Sequence, residues 1–152
     1  MTAFPTGPYI NGAFLCERVL TEQDGVNTYV RVVDRFTRGL ISPERVQLGP
    51  LPVELTLVLL LKPGEARGAF EIALDIEKPS GERRTAQEFN VNFPGGQAGG
   101  VNAHVDLNLQ LDQPGLWWID VLGGPQRRLM TRVSAELIDQ WIRSATPPGP
   151  TA

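Results

Sequence analysis

The chain has 152 residues, 41% hydrophobic and 20% charged, which is one domain's worth of sequence with enough apolar material for a core. Its formal charge of −3, from 14 basic and 17 acidic residues, carries no basic footprint for phosphates, and no Lys/Arg cluster exceeds the pairs Arg83–Arg84 and Arg127–Arg128. One cysteine, Cys16, forms no intrachain disulfide, Met1 to Pro5 lacks the basic-then-apolar pattern of an export signal, and the run Leu55–Leu61 is too short to span a bilayer. A cytoplasmic protein with neither nucleic acid nor membrane as partner is the expectation.

Residues 1–12, rich in Pro, Gly and Thr, read as an irregular arm. Ala13 to Leu20 reads as a first strand, and the Asp24-Gly25 turn leads into a second, Asn27 to Thr37, dense in β-branched and aromatic residues. After a connection punctuated by Pro43, Pro50 and Pro52 comes Val53 to Lys62, apolar on both faces from Leu57 to Leu61. Such a strand is either central and covered on both sides or part of a contact surface.

Phe70, Ile72, Leu74 and Ile76 then alternate with Glu71, Asp75 and Glu77, the period of a half-buried strand. Thr85 to Phe93 continues the pattern after the turn at Pro79 to Gly81. A glycine-rich loop, Pro94 to Gly100, precedes the clearest alternation, Val101 to Leu111. Pro114-Gly115 and Gly123-Gly124-Pro125 set off two more strands, Leu116 to Leu122 and Arg128 to Ser134. Ala135 to Arg143 places Ile138, Trp141 and Ile142 at i, i+3 and i+4, one stripe of a short helix. Residues 144–152, with three prolines, read as a disordered tail. The expected fold is all-β: an antiparallel two-sheet β-sandwich of about seven or eight strands, residues 13–143, closed by a helix over 135–143.

Few residues suggest chemistry. His104, the only histidine, shares a strand face with Asp106, but Asn102, Asn108 and Gln110 continue the same polar row, and a metal needs more ligands. Cys16 has no activating turn or helix nearby, and a lone cysteine is commonly a small buried hydrophobe. Loop 94–100 lacks the Lys-Ser/Thr of a phosphate cradle, and Asp24 and Asp112 sit at turns too poor in acids for calcium. No catalytic residue, metal or cofactor is expected. If the first hairpin sets residue 17 against 35, Glu17, Arg18, Asp34 and Arg35 form two opposite-charge pairs, read as structural. Trp117 and Trp118 project to opposite faces; Trp117 joins Ile119 and Val121, leaving Trp118 beside Asp120, either exposed or covered by the helix that carries Trp141.

The runs Phe14-Leu15-Cys16-Glu17-Arg18-Val19-Leu20, Val33-Asp34-Arg35-Phe36 and Pro114 to Leu122 resemble a family of small bacterial proteins catalogued only as a domain of unknown function, over about residues 10–137. The resemblance implies a bacterial or phage source and a compact β fold, and carries no reaction with it.

The functional expectation is a non-enzymatic module that docks on a protein partner or on its own copies through Trp118, Asp120, Ile138, Trp141 and Ile142. The alternatives are a glycan- or peptide-binding sandwich using Trp118 beside His104 and Asp106, and a hydrolase built on Cys16 and His104.

Overall fold

The computed structural model of the chain describes residues 4–40, 49–95 and 99–141. Among these residues nine strands follow one another: β1 (Tyr9–Thr21), β2 (Asn27–Val32), β3 (Arg35–Leu40), β4 (Leu51–Lys62), β5 (Gly68–Glu77), β6 (Arg83–Phe93), β7 (Val101–Leu111), β8 (Gly115–Gly123) and β9 (Arg128–Trp141). They build a four-stranded sheet in the order β2-β1-β4-β7 and a five-stranded sheet in the order β3-β9-β8-β5-β6. Between the sheets, Leu15, Leu55, Leu57, Leu59, Leu61, Val105, Leu107 and Leu109 meet Ile72, Leu74, Val91, Phe93, Trp117, Ile119, Val121 and Leu137. Those are the period-two rows of the sequence, so alternation alone puts the core where it is.

The segment expected as one strand, 27–37, is two. At Val33-Asp34 the chain leaves one sheet for the other: the Val33 N–H donates to the Leu15 carbonyl at 2.9 Å, and the Asp34 carbonyl accepts from the Glu136 N–H at 2.8 Å. β3 then runs parallel to β9, Arg35 beside Glu136 through Leu40 beside Trp141. This pairing also replaces the expected helix. Residues 135–141 extend β9, with Ala135 and Leu137 buried toward the core. Their 3.6-residue stripe loses to a sheet edge that β3 supplies from far away in the sequence, a tertiary override of local pattern. Arg38 locks that pair with a two-pronged contact to Asp139, Nε to Oδ1 at 2.8 Å and Nη2 to Oδ2 at 2.9 Å. β1 starts at Tyr9, so the arm is shorter than expected, while Ile142 and residues 144–152 lie outside the described residues.

The β1–β2 hairpin pairs Thr21 with Asn27, so residue 17 faces 31 rather than 35. The turn centres on Asp24 rather than on Val26: the Glu22 N–H donates to the Val26 carbonyl, and Gly25 adopts a φ of 84°. Glu17 therefore meets Arg31 at 3.4 Å, and Arg35 meets Glu136 at 3.8 Å. These contacts are exposed and stabilise little. The expected pairing of Glu17 and Arg18 with Asp34 and Arg35 does not occur.

Arg31 takes a left-handed φ of 54°, and beyond it the hairpin folds across the exterior of the four-stranded sheet. Three strand spacings, about 14 Å, separate β2 from β7 in a flat sheet. Yet the Tyr29 hydroxyl lies 3.1 Å from His104 Nε2, and the Tyr29 ring sits edge-on to Phe14 with centroids 5.0 Å apart. The turn residues Gly25, Val26 and Asn27 line a shallow cavity with Leu60, Lys62 and Asn102. This cover explains the two-sided apolar strand: β4 is central, and its outward Val58 is fully buried inside the chain.

Removing the Asp139 carboxylate leaves the largely buried Arg38 cation without its anion, held only by the Gly49 carbonyl among the described residues. Asp139→Ala is expected to lower unfolding free energy by about 1–3 kcal/mol in urea titrations, with a strand-type far-ultraviolet spectrum retained. A helical signal lost on mutation of 135–141 contradicts the β9 assignment.

Candidate functional site

The exterior of the five-stranded sheet holds the densest polar arrangement among the described residues. β8 sends Trp117, Ile119 and Val121 inward, so Trp118 and Asp120 project outward. Asp120 stands opposite Asp75 of β5 on one side and Arg132 of β9 on the other. Two carboxylates face to face repel, and two guanidiniums resolve the conflict. Arg83 Nη1 reaches Asp120 Oδ2 at 2.8 Å and Glu77 Oε1 at 3.1 Å, while its Nη2 reaches Asp75 Oδ2 at 3.3 Å. Arg132 donates from Nε to Asp120 Oδ1 and from Nη2 to Glu77 Oε2 at 3.1 Å. Thr85 Oγ1 donates to Asp75 Oδ1 at 2.9 Å.

A β-bulge makes this meeting possible. The register between β5 and β6 shifts after Leu74, so Asp75 faces Thr85 and Glu77 faces Arg83. Without the extra residue, Ala86 and Arg84 would stand in those places and Arg83 would point to the other face.

The Asp120 side chain is only 5% exposed, the buried charge on which both arginines converge. Its hydrogen bonds raise the pKa of Arg83, helped by Glu77, and that of Arg132 above the ordinary guanidinium value. Both cations are therefore permanent. What the cluster does is hold shape. The Arg132 guanidinium lies 4.4 Å from the Trp118 ring centroid, a cation–π stack fixed from behind by Asp120. Trp118 is thus half-buried beneath Arg132, and among the described residues no helix covers it. Along the same face Leu116 is 44% and Ile138 is 37% exposed, on neighbouring strands and diagonal to each other. The Trp141 and Ile142 side chains lie outside the described residues.

His104 and Asp106 are elsewhere, on the exterior of the four-stranded sheet, with Asp106 Oδ1 accepting from Thr56 Oγ1 at 3.3 Å. A glycan site joining them to Trp118 would have to span opposite exteriors of the sandwich. Cys16 shares the His104 exterior, but β4 lies between their strands, two spacings or roughly 10 Å. The thiol is fully buried, burial pushes its pKa up, and it donates to the Arg18 carbonyl. The Cys16–His104 hydrolase reading loses its hydrogen bond. Asp112 is held by Lys78 at 2.9 Å and Asp24 by the Val26 N–H at 3.1 Å, and among the described residues no group of three potential ligands could hold a metal ion.

Sequence reasoning singled out Trp118 and Asp120 but missed Asp75, Glu77, Arg83 and Arg132. The usable signal was the lone acid in the outward row of an otherwise apolar β8, which requires cationic partners.

No family model matches the chain, and no curated protein does. Among solved structures it is similar to the CARDB domain of the PF1109 protein from Pyrococcus furiosus, a complex with di-metal ions, at 8% identity over 89% of this chain and 97% of that one (TM-score 0.45). It is also similar to the alkylpurine DNA glycosylase AlkC of Pseudomonas fluorescens bound to DNA containing an abasic site analog, at 11% identity over 83% of this chain (TM-score 0.41). The chain spans only 30% of that enzyme's length. The third similar structure is an immunoglobulin-like protein, PA1606, from Pseudomonas aeruginosa, at 15% identity over 86% and 96% of the two chains (TM-score 0.35). These likenesses concern strand arrangement alone.

Truncating Asp120 removes the buried anion that Arg83 and Arg132 share, leaving them the more exposed Glu77. Asp120→Ala is expected to cost about 2 kcal/mol of stability, whereas Glu136→Ala, at the exposed pair with Arg35, stays within about 0.5 kcal/mol; equal losses in chemical denaturation would mean that the cluster is not coupled. Cys16 is expected to resist maleimide labelling in the native protein at mildly alkaline pH and to react fully in denaturant. Rapid native labelling would contradict its burial.

Proposed function

We propose that the protein is a non-enzymatic interaction module that docks a protein partner through the exterior of its five-stranded sheet. The observation that carries this reading is the Trp118–Arg132 stack, braced by a buried Asp120 and flanked by exposed Leu116 and Ile138. Trp and Arg are the side chains enriched at binding hot spots, and an anchored pair loses little conformational freedom on contact. The mixed surroundings, apolar at Leu116 and Ile138 and charged at Glu77 and Arg83, match the apolar centre and polar rim of a non-obligate interface. A glycan would need an open indole face, and Arg132 already occupies one side of the Trp118 ring.

Affinity capture from the native host tests the reading, using wild type beside Leu116→Glu and Ile138→Glu. Both side chains are exposed, so both variants should melt like wild type. A partner held by wild type and at least about tenfold weaker on both variants supports the face. A partner held equally by all three, or none held by wild type, removes it.

A further inference from the structure

We infer that the free edge of β7 is a self-pairing surface, and that a second copy of this chain joins it antiparallel about Val105 to make one continuous eight-stranded sheet. The inference is independent of the sheet face proposed above, because β7 belongs to the other sheet.

Natural sheet edges are blunted by prolines, lysines, bulges or short length. The other edges follow that rule: β2 is six residues long and kinked at Arg31, β3 is six residues long, and β6 carries the bulge at Ala86. β7 does not. It is eleven residues long, contains no proline, lysine or arginine, and pairs with β4 from Leu111 to Val101 without a register shift. Among the described residues no strand is hydrogen-bonded to its other side.

The strand's own side chains select the partner and the register. Its outward row is Asn102, His104, Asp106, Asn108 and Gln110, with two ionisable groups, one basic and one acidic. A two-fold axis through Val105 sets His104 opposite Asp106 of the second copy, and Asp106 opposite its His104, with Asn102 facing Asn108 on either side. Directly opposed side chains have Cβ atoms about 5 Å apart, close enough for both pairs to bond. An axis through Asp106 opposes the two aspartates, and one through His104 opposes the two histidines. A one-residue slip turns the polar row against the apolar one. The same register sets Val101 and Ala103, half-exposed at the open side, against Leu109 and Leu107 of the second copy. His104 Nε2 is taken by Tyr29 and Asp106 Oδ1 by Thr56, which hold the two side chains outward in fixed positions while Nδ1 and Oδ2 carry no hydrogen bond among the described residues.

Sedimentation equilibrium on the full chain tests the inference with three variants: His104→Asp, Asp106→His and the double exchange. Wild type is expected to be a dimer in reversible equilibrium with monomer. Each single variant opposes like groups twice and should weaken the dimer about tenfold or more. The double variant loses the same contacts to Tyr29 and Thr56 as the singles, yet restores both intermolecular pairs, and should recover most of the affinity. A wild-type protein that stays monomeric across the accessible concentrations overturns the inference. So does a dimer indifferent to the single variants, or one that the double exchange fails to rescue.

Discussion

Burial of the two central strands, β4 and β8, is the constraint from which the rest of the molecule follows. Each is paired on both edges and packed on its inner face, so its outward side chains decide what the exterior must supply. In β4 the outward Val58 is apolar, and the chain covers it by folding the β1–β2 hairpin back until Tyr29 meets Phe14 and His104. In β8 the outward Asp120 is charged, and a charge at 5% exposure is tolerable only when paired. Arg83 and Arg132 come from the strands flanking β5 and β8 to meet it. One exterior is therefore closed by the chain itself. The other, among the described residues, is open and patterned.

Much of this was legible as period two. The rows of β5 and β7 read correctly because alternation is local and each strand has one face in the core. What failed was non-local. The stripe Ile138-Trp141-Ile142 fits a helix, and nothing nearby announces that β3, a hundred residues earlier, offers an edge to pair with. The strand break at Val33-Asp34 carries no proline or glycine, because there the chain changes sheets rather than direction. The charge cluster escaped notice for a similar reason. Arg83 and Arg132 are unremarkable surface residues until a bulge and a strand order bring both over the same aspartate.

The proposed role is recognition, and the state of the polar side chains supports it. The one thiol is sealed and its ionisation opposed by burial, the one imidazole is tied to a phenol three strands away, and the carboxylates nearest each other are paired with permanent cations. An ion network that fixes its arginines in place is a good brace for an aromatic side chain. In that light the buried aspartate is worth less for net stability than for fixing where Arg132 and Trp118 sit.

The most direct test of the account is nuclear magnetic resonance titration of the labelled protein with a captured partner, following side chains rather than backbone. The Trp118 indole and the Leu116 and Ile138 methyls should shift and broaden together, with Val58 and Leu60 beneath the hairpin unchanged. Shifts confined to Val58, Leu60 and Tyr29, with the Trp118 indole unmoved, would contradict it and put the working surface on the opposite side of the molecule.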